Sequence, residues 1–293
     1  MQWVNAVIQG ILLGGLFALF ATGLSLAFGV MRFVNLAHGD LAILGAYLAV
    51  STTSSLDVNP FVSLLVVVPI MTALGYVLQR FVFNRTIGTD PLPSILVTFG
   101  LGIVIQNALL EHYSANSQGL DAGRIETSSL EINEDIAVGW FAVLILVVAV
   151  VTLVGLHLFI RRTRLGRAFR ATSDDPSTAR LMGINDRSIY AVVMAIAFAT
   201  VAVAGVFLGI RQTFGPTDGP TLLIFGFEAV VIGGLGSLWG TLVGGMILGL
   251  AQTLGNQIDV EVGYITGPLL GHIIFLAVLA FRPTGLLGSK GRS

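Results

Sequence analysis

The chain has 293 residues, of which 55% are hydrophobic and only 11% charged, with a formal net charge of −1 and no cysteine. An ordinary soluble domain carries roughly 25% charged residues, and a globule this poor in charge could not cover its surface, whereas lipid favours an apolar exterior. The mean hydropathy of +0.89 agrees, and the missing cysteines exclude disulfide frameworks, thiolate metal sites and cysteine nucleophiles.

Charge is segregated, leaving uncharged runs at 1–31, 41–56, 58–79, 91–110, 136–160, 188–210, 229–258 and 262–281. A helix needs about 20 apolar residues to cross a hydrocarbon core of about 30 Å, and only helices or closed barrels satisfy every backbone group in lipid. The runs show no period-two alternation. The sequence therefore predicts an all-α polytopic bundle of about 8–10 spans in a single domain, 1–293, with helices near 4–30, 35–52, 60–83, 92–111, 137–160, 188–211, 221–235, 238–258 and 263–282.

The first span follows Met-Gln-Trp with no basic leader, and the first cationic side chain is Arg32, so it reads as a retained helix. The second opens on Asn35-Leu-Ala-His38-Gly39-Asp40. An aspartate at the bilayer centre costs roughly 2.5–3.5 kcal/mol on insertion scales. Nearby Arg32 places Asp40 toward the cytoplasmic interface, where capping and helix pairing is the plainer reading and a polar constriction or proton site the functional one.

Between the fourth and fifth spans, residues 111–135 hold six acids against Arg124 alone, which puts 112–136 outside. After the fifth, the segment Arg161–Arg187 holds seven arginines against three aspartates and is cytoplasmic by the positive-inside rule. Arg32, Arg80, Arg85, Arg282, Lys290 and Arg292 fall at span ends of the same parity, giving an outside N-terminus and a cytoplasmic C-terminus. Within 161–187, Asp174 or Asp175 before Pro176 has the character of an N-cap and Gly183 of a helix stop. A short helix at 176–182 is predicted. It carries Ser177, Thr178, Ala179, Arg180, Leu181 and Met182, and its apolar pair is expected to dock on a partner, with Arg180 adding an ion pair. The rival is a basic loop lying on anionic lipid.

The seventh predicted span is short, runs through Glu228 and breaks at Gly233-Gly234-Leu235-Gly236. Two glycine-broken, acid-bearing segments at corresponding places suggest an inverted repeat whose broken helices line a translocation path made of Asn35, His38, Gly39, Asp40, Glu228, Gly233 and Gly234. Of the 36 glycines, Gly10 with Gly14, Gly205 with Gly209, Gly236 with Gly240 and Gly244, and Gly245 with Gly249 stand four apart, a spacing that lets helix backbones approach closely. His157 and His272 are isolated in apolar stretches and read as structural. No His-Glu-x-x-His, Gly-x-Ser-x-Gly or Gly-Lys-Ser/Thr sequence occurs, so no catalytic residue is assigned and the chain does not bind ATP through a P-loop.

Four fragments in series, Asn35-Leu-Ala-His-Gly-Asp40, Arg180-Leu-Met-Gly-Ile-Asn185, Val231-Ile-Gly-Gly-Leu-Gly-Ser237 and Phe281-Arg-Pro-Thr-Gly-Leu-Leu287, resemble the branched-chain amino-acid ABC transporter permease family. The resemblance implies an inner-membrane subunit of a binding-protein-dependent importer of a prokaryote. Its partners would be a second homologous permease, two cytoplasmic ATP-binding subunits, an extracytoplasmic solute-binding protein and membrane lipid, with no cofactor, metal or nucleic acid. The helix at 176–183 then corresponds to the family's coupling helix, with Ser177-Thr178-Ala179 in place of the Glu-Ala-Ala of related importers. Relatives that carry urea or short amides, and an ion-coupled secondary transporter using Asp40 and Glu228, are the alternatives.

Overall fold

The computed structural model describes residues 2–88, 90–133, 136–258 and 266–288. Lys290 and Arg292, and the acids Glu134 and Asp135, lie outside the described residues, as do the first residues of the predicted span 263–282. In chain order the helices are α1 Gln2–Met31, α2 His38–Leu56, α3 Pro60–Phe81, α4 Leu92–Tyr113, the single turn α5 Arg124–Thr127, α6 Trp140–Arg162, α7 Arg164–Asp174, α8 Pro176–Leu181, α9 Asp186–Arg211, α10 Gly219–Gly233, α11 Leu238–Ile258 and α12 Thr266–Phe281. A small antiparallel hairpin, β1 Ser129–Asn133 with β2 Ile136–Gly139, precedes α6. Six helices, α1, α3, α4, α6, α9 and α11, are long and apolar enough to cross a membrane, and α10 and α12 are apolar but shorter.

A helix is present at each predicted position, six of them long and apolar enough to span, and the starts that differ have local causes. Helix α2 begins at His38 because the Asn35 side-chain oxygen accepts from the Ala37 backbone N–H at 3.1 Å, closing a turn that keeps Asn35–Ala37 out of the helix. Helix α7 is not among the predicted elements. Thr163 caps it by accepting from the Gly166 N–H at 2.9 Å, and Gly166, Phe169 and Thr172 recur at three-residue intervals on its buried side. Arginines between those positions hide that period.

Helices α1 and α9 form the buried centre and pack on each other. Helix α1 runs antiparallel to α11: Gln2 lies beside Gln257 at one end and Gly29 beside Gly236 at the other. Helix α9 runs antiparallel to α3, with Arg187 bonded to Asn84 at one end and Phe207 on Phe61 at the other. The further pairings match: α9 with α2 as α1 with α10, α2 with α3 as α10 with α11, and α2 with α4 as α10 with α12. The segment α1–α4 thus repeats, upside down, as α9–α12.

The predicted glycine rows are packing surfaces. On α11, Gly240 and Gly244 lie against Gly233 and Ala229 of α10, while Gly245 and Gly249 lie against the Gly10–Ala18 stretch of α1. A methyl group at any of them would overlap backbone, so these helices touch main chain to main chain.

Candidate functional site

The repeat brings the starts of two helices, α2 and α10, nose to nose. His38 Nε2 lies 3.0 Å from the Phe20 carbonyl of α1. Phe20 precedes Met31 by eleven residues, or about 16 Å of helix at 1.5 Å per residue. The chain therefore climbs back along α1 before α2 starts, and α2 begins in the middle of the bundle. Helix α10 starts at the same level and runs the other way, to the arginine-rich end. Gly39 and Gly219, in their first turns, are so close that a Cβ on either would strike the other helix. The placement of Asp40 near the interface is corrected accordingly: Asp40 is buried in the bundle, because the non-helical residues 32–37 carry the chain back to the level of Phe20.

The Asp40 side chain fills the space between the two helix starts. Its Oδ1 accepts from Gln106 Nε2 of α4 at 2.9 Å, and Gly102 of α4 leaves room for Oδ2. Asn35 is buried just before α2, its amide nitrogen without a partner in the structure. Gly39 and Asp40 thus form one cluster with Gly219 and Gln106, while His38 faces Phe20 of α1.

Glu228 is nine residues further along α10, about 13 Å away at 1.5 Å per residue. It is buried and its Oε1 meets His272 Nδ1 of α12, while Oε2 has no partner in the structure. The His272 side chain is 40% exposed on the flank of the bundle and stacks on Phe225. Gly233 and Gly234 stand apart from both acids, at the arginine-rich end. Gly233 packs on Gly240, and Gly234, at φ 111°, turns the chain where the tail returns. There the N–H groups of Leu286 and Leu287 donate to the carbonyls of Ile232 and Gly233, each at 2.9 Å, closing the end of α10. Sequence assigns no role to Gln106 and a structural one to His272; the structure sets each beside a buried acid, Gln106 on Asp40 and His272 on Glu228. A polar side chain in the middle of an otherwise apolar span was the signal in both cases.

The predicted 176–182 helix is α8, and its ends are built as its residues require. Asp175 accepts from the N–H groups of Ser177 and Thr178 at 2.9 and 3.2 Å and from their hydroxyls, with Pro176 at the first position. These hydroxyls, Ser177 first and then Thr178, hold the Asp175 carboxyl well below the usual carboxylate range. At the other end Gly183, at φ 81°, donates to the Arg180 carbonyl and Ile184 to that of Ala179, a Schellman close. Ala179 is buried, and Arg180 reaches Asp186 at the start of α9 through Nε and Nη2 at 3.0 and 2.8 Å. Leu181 and Met182 are 87% and 79% exposed. Two adjacent large apolar side chains held outward on a doubly capped turn form a knob.

An inverted pair of helical repeats, half-helices meeting in the bundle and polar side chains along them define a membrane transporter. The chain belongs to the family described as branched-chain amino acid transport system, permease component, whose sequence profile matches residues 6–281. It is 30% identical to the high-affinity branched-chain amino acid transport system permease protein BraD of Pseudomonas aeruginosa, over 98% of this chain and 96% of that one. It is 29% identical to LivH of Escherichia coli K12, described in the same words, over 98% and 96% of the two chains. A probable branched-chain amino acid transport permease protein LivH of Methanocaldococcus jannaschii is 27% identical over 96% and 92%.

Proposed function

We propose that this chain is the membrane-spanning permease subunit of an ABC importer that carries branched-chain amino acids across the cytoplasmic membrane, driven by ATP hydrolysis on two cytoplasmic ATP-binding subunits. The family and the full-length similarity to BraD and LivH support the cargo. The observation that carries the drive is α8: its outward Leu181 and Met182 suit a groove on an ATPase, and its Arg180–Asp186 pair hands a push on α8 to the start of α9. The arginine-rich end faces the cytoplasm and the N-terminus lies outside.

The path runs along the half-helices, past the Asn35–Asp40 cluster and down α10 by Glu228. His272 is half-exposed on a membrane helix, where a polar ring facing lipid is costly. The α10–α12 flank therefore faces a second, homologous permease across a water-filled path. A solute-binding protein delivers cargo at the outer end, and rocking of α9 opens the two sides in turn. These residues bind and gate; none performs covalent chemistry.

The test is the double variant Leu181→Asp/Met182→Asp in the reconstituted complex. Uptake should fall by tenfold or more while the chain inserts normally, because a charge buried at such a knob opposes docking. Wild-type uptake in that variant would overturn the coupling role. Gradient-driven uptake by the chain alone would overturn the ATP drive.

A further inference from the structure

Away from α8, the arginine-rich end carries a second feature. A crevice of about 390 Å³ opens between the end of α6 and the start of α11, with α1 behind it and α7 beneath. At its mouth the His157 ring meets the Trp239 ring edge-on at 5.7 Å. One turn beyond His157, Arg161 lines the crevice on the same side of α6. Arg170 of α7 folds back under that end, donating to the Ile160 carbonyl at 2.8 Å, and lines it too. Among the described residues neither arginine pairs with a carboxylate; the arginine that does is Arg180, with Asp186. Asp174 is the one acid in the lining, so the crevice keeps a net positive charge. At its back stands Ser25, fully buried, its hydroxyl without a hydrogen-bond partner in the structure.

We infer that this crevice binds the phosphate of an anionic phospholipid of the cytoplasmic leaflet, an inference that rests on reading the arginine-rich end as cytoplasmic. Its walls α1, α6 and α11 are long and apolar enough to cross a membrane, and the crevice lies where α6 ends and α11 begins, the level at which tryptophan and arginine anchor helices. Acyl chains continue along the exposed Leu158 of α6 and Trp239 of α11. The two guanidiniums clasp phosphate oxygens in charge-assisted hydrogen bonds, and Ser25 supplies the hydroxyl donor behind them. A lipid suits this geometry better than an ATPase surface, because three of the crevice walls are helices long and apolar enough to cross a membrane, while the apolar knob of α8 lies elsewhere. A lipid seated here touches both α11 and α7, and α7 is joined to α1 through Ser173 Oγ and the Gly29 carbonyl at 2.6 Å.

The test is native mass spectrometry of the purified full chain in mixed phosphatidylglycerol and phosphatidylethanolamine. Wild type should retain phosphatidylglycerol preferentially, by on the order of fivefold for each arginine engaged. Arg161→Gln/Arg170→Gln should abolish the preference, and Arg124→Gln, at the opposite end, should leave it intact. Equal retention of the two lipids by wild type, or a preference that survives the double variant, overturns the proposal. So does displacement of the lipid by millimolar inorganic phosphate, which would mark a free-anion site. Loss of copurifying ATPase from the double variant with lipid preference unchanged would assign the arginines to that partner instead. Retention is measured without transport, so its failure leaves the importer reading standing.

Discussion

The two broken helices hold the same place in the two repeats but are fastened differently. Helix α10 is locked by backbone: Gly233 on Gly240, Ala229 against Gly244, and the tail closing its last carbonyls. Helix α2 is held on its α3 and α4 sides by large side chains, and a groove of about 370 Å³ lined by Leu44, Leu74, Leu78 and Leu101 remains between the three. Tyr47 and Glu228 each lie nine residues into their helices, and each faces the fourth helix of its repeat. Tyr47 meets the Tyr113 ring at 4.4 Å, whereas Glu228 meets His272. One frame therefore carries two kinds of seam: α10 is keyed to α11 backbone to backbone, and α2 leaves space against α3 and α4.

The largest effect should come from breaking the tight seam. In Gly244→Ala the new methyl would collide with the Ala229 carbonyl on a neighbouring helix that has no side chain to yield. Overpacking of this kind costs typically 1–3 kcal/mol, and backbone against backbone should reach about 3. Thermal unfolding in detergent reads the loss; an unchanged midpoint would show that α10 and α11 can part freely.

Next comes the acid pair within each repeat. Double-variant cycles of Glu228→Ala with His272→Ala, and of Asp40→Ala with Gln106→Ala, should each give a coupling of about 0.6–1.7 kcal/mol, the range for interhelical polar contacts in membranes. The same single variants should lower uptake in the reconstituted complex. A coupling near zero for Glu228 with His272 would show that this contact does not tie α10 to α12.

Filling the loose seam should matter less. Leu44→Phe adds a ring where the groove has space, so stability should stay within about 1 kcal/mol of wild type. If uptake slows while stability holds, the groove is the room α2 needs; a large loss of stability would mean that the seam is as tight as its counterpart.

How much of this was legible depends on what each residue answers to. The positions of the long helices follow from local hydropathy, and α8 from Asp175, Pro176 and Gly183, which act on their own neighbours. The glycine rows announced close packing by their spacing, though not the choice of partner: Gly244 meets α10 and Gly245, one residue on, meets α1. The half-helix junction was only half visible. Asp40 beside Arg32 suggested an interface, because nothing local in residues 32–37 reveals that the chain turns back toward Phe20. Gln106 and His272 acquire meaning only when α2 and α10 are set beside α4 and α12, a long-range fact that no spacing records.

The smallest effect expected concerns α8, which joins the loop to the second repeat through Arg180 and Asp186. Hydrogen bonds from Ser177 and Thr178 hold the Asp175 carboxyl below its ordinary value. A group whose folded pKa is depressed contributes stability above its unfolded pKa, about 3.9, and loses it only as pH falls through the still lower folded value. From pH 5 to 9 the cap is therefore constant. Asp175→Ala should reduce uptake by the same modest factor at every pH in that window, and Asp175→Asn, which keeps an accepting oxygen for the two N–H groups, should reduce it less. The shape of the uptake profile against pH in the reconstituted complex checks this. An inflection between pH 5 and 9 that vanished in Asp175→Ala would mean that the cap titrates in the working range and that α8 is a switch, where its geometry makes it a fixed knob.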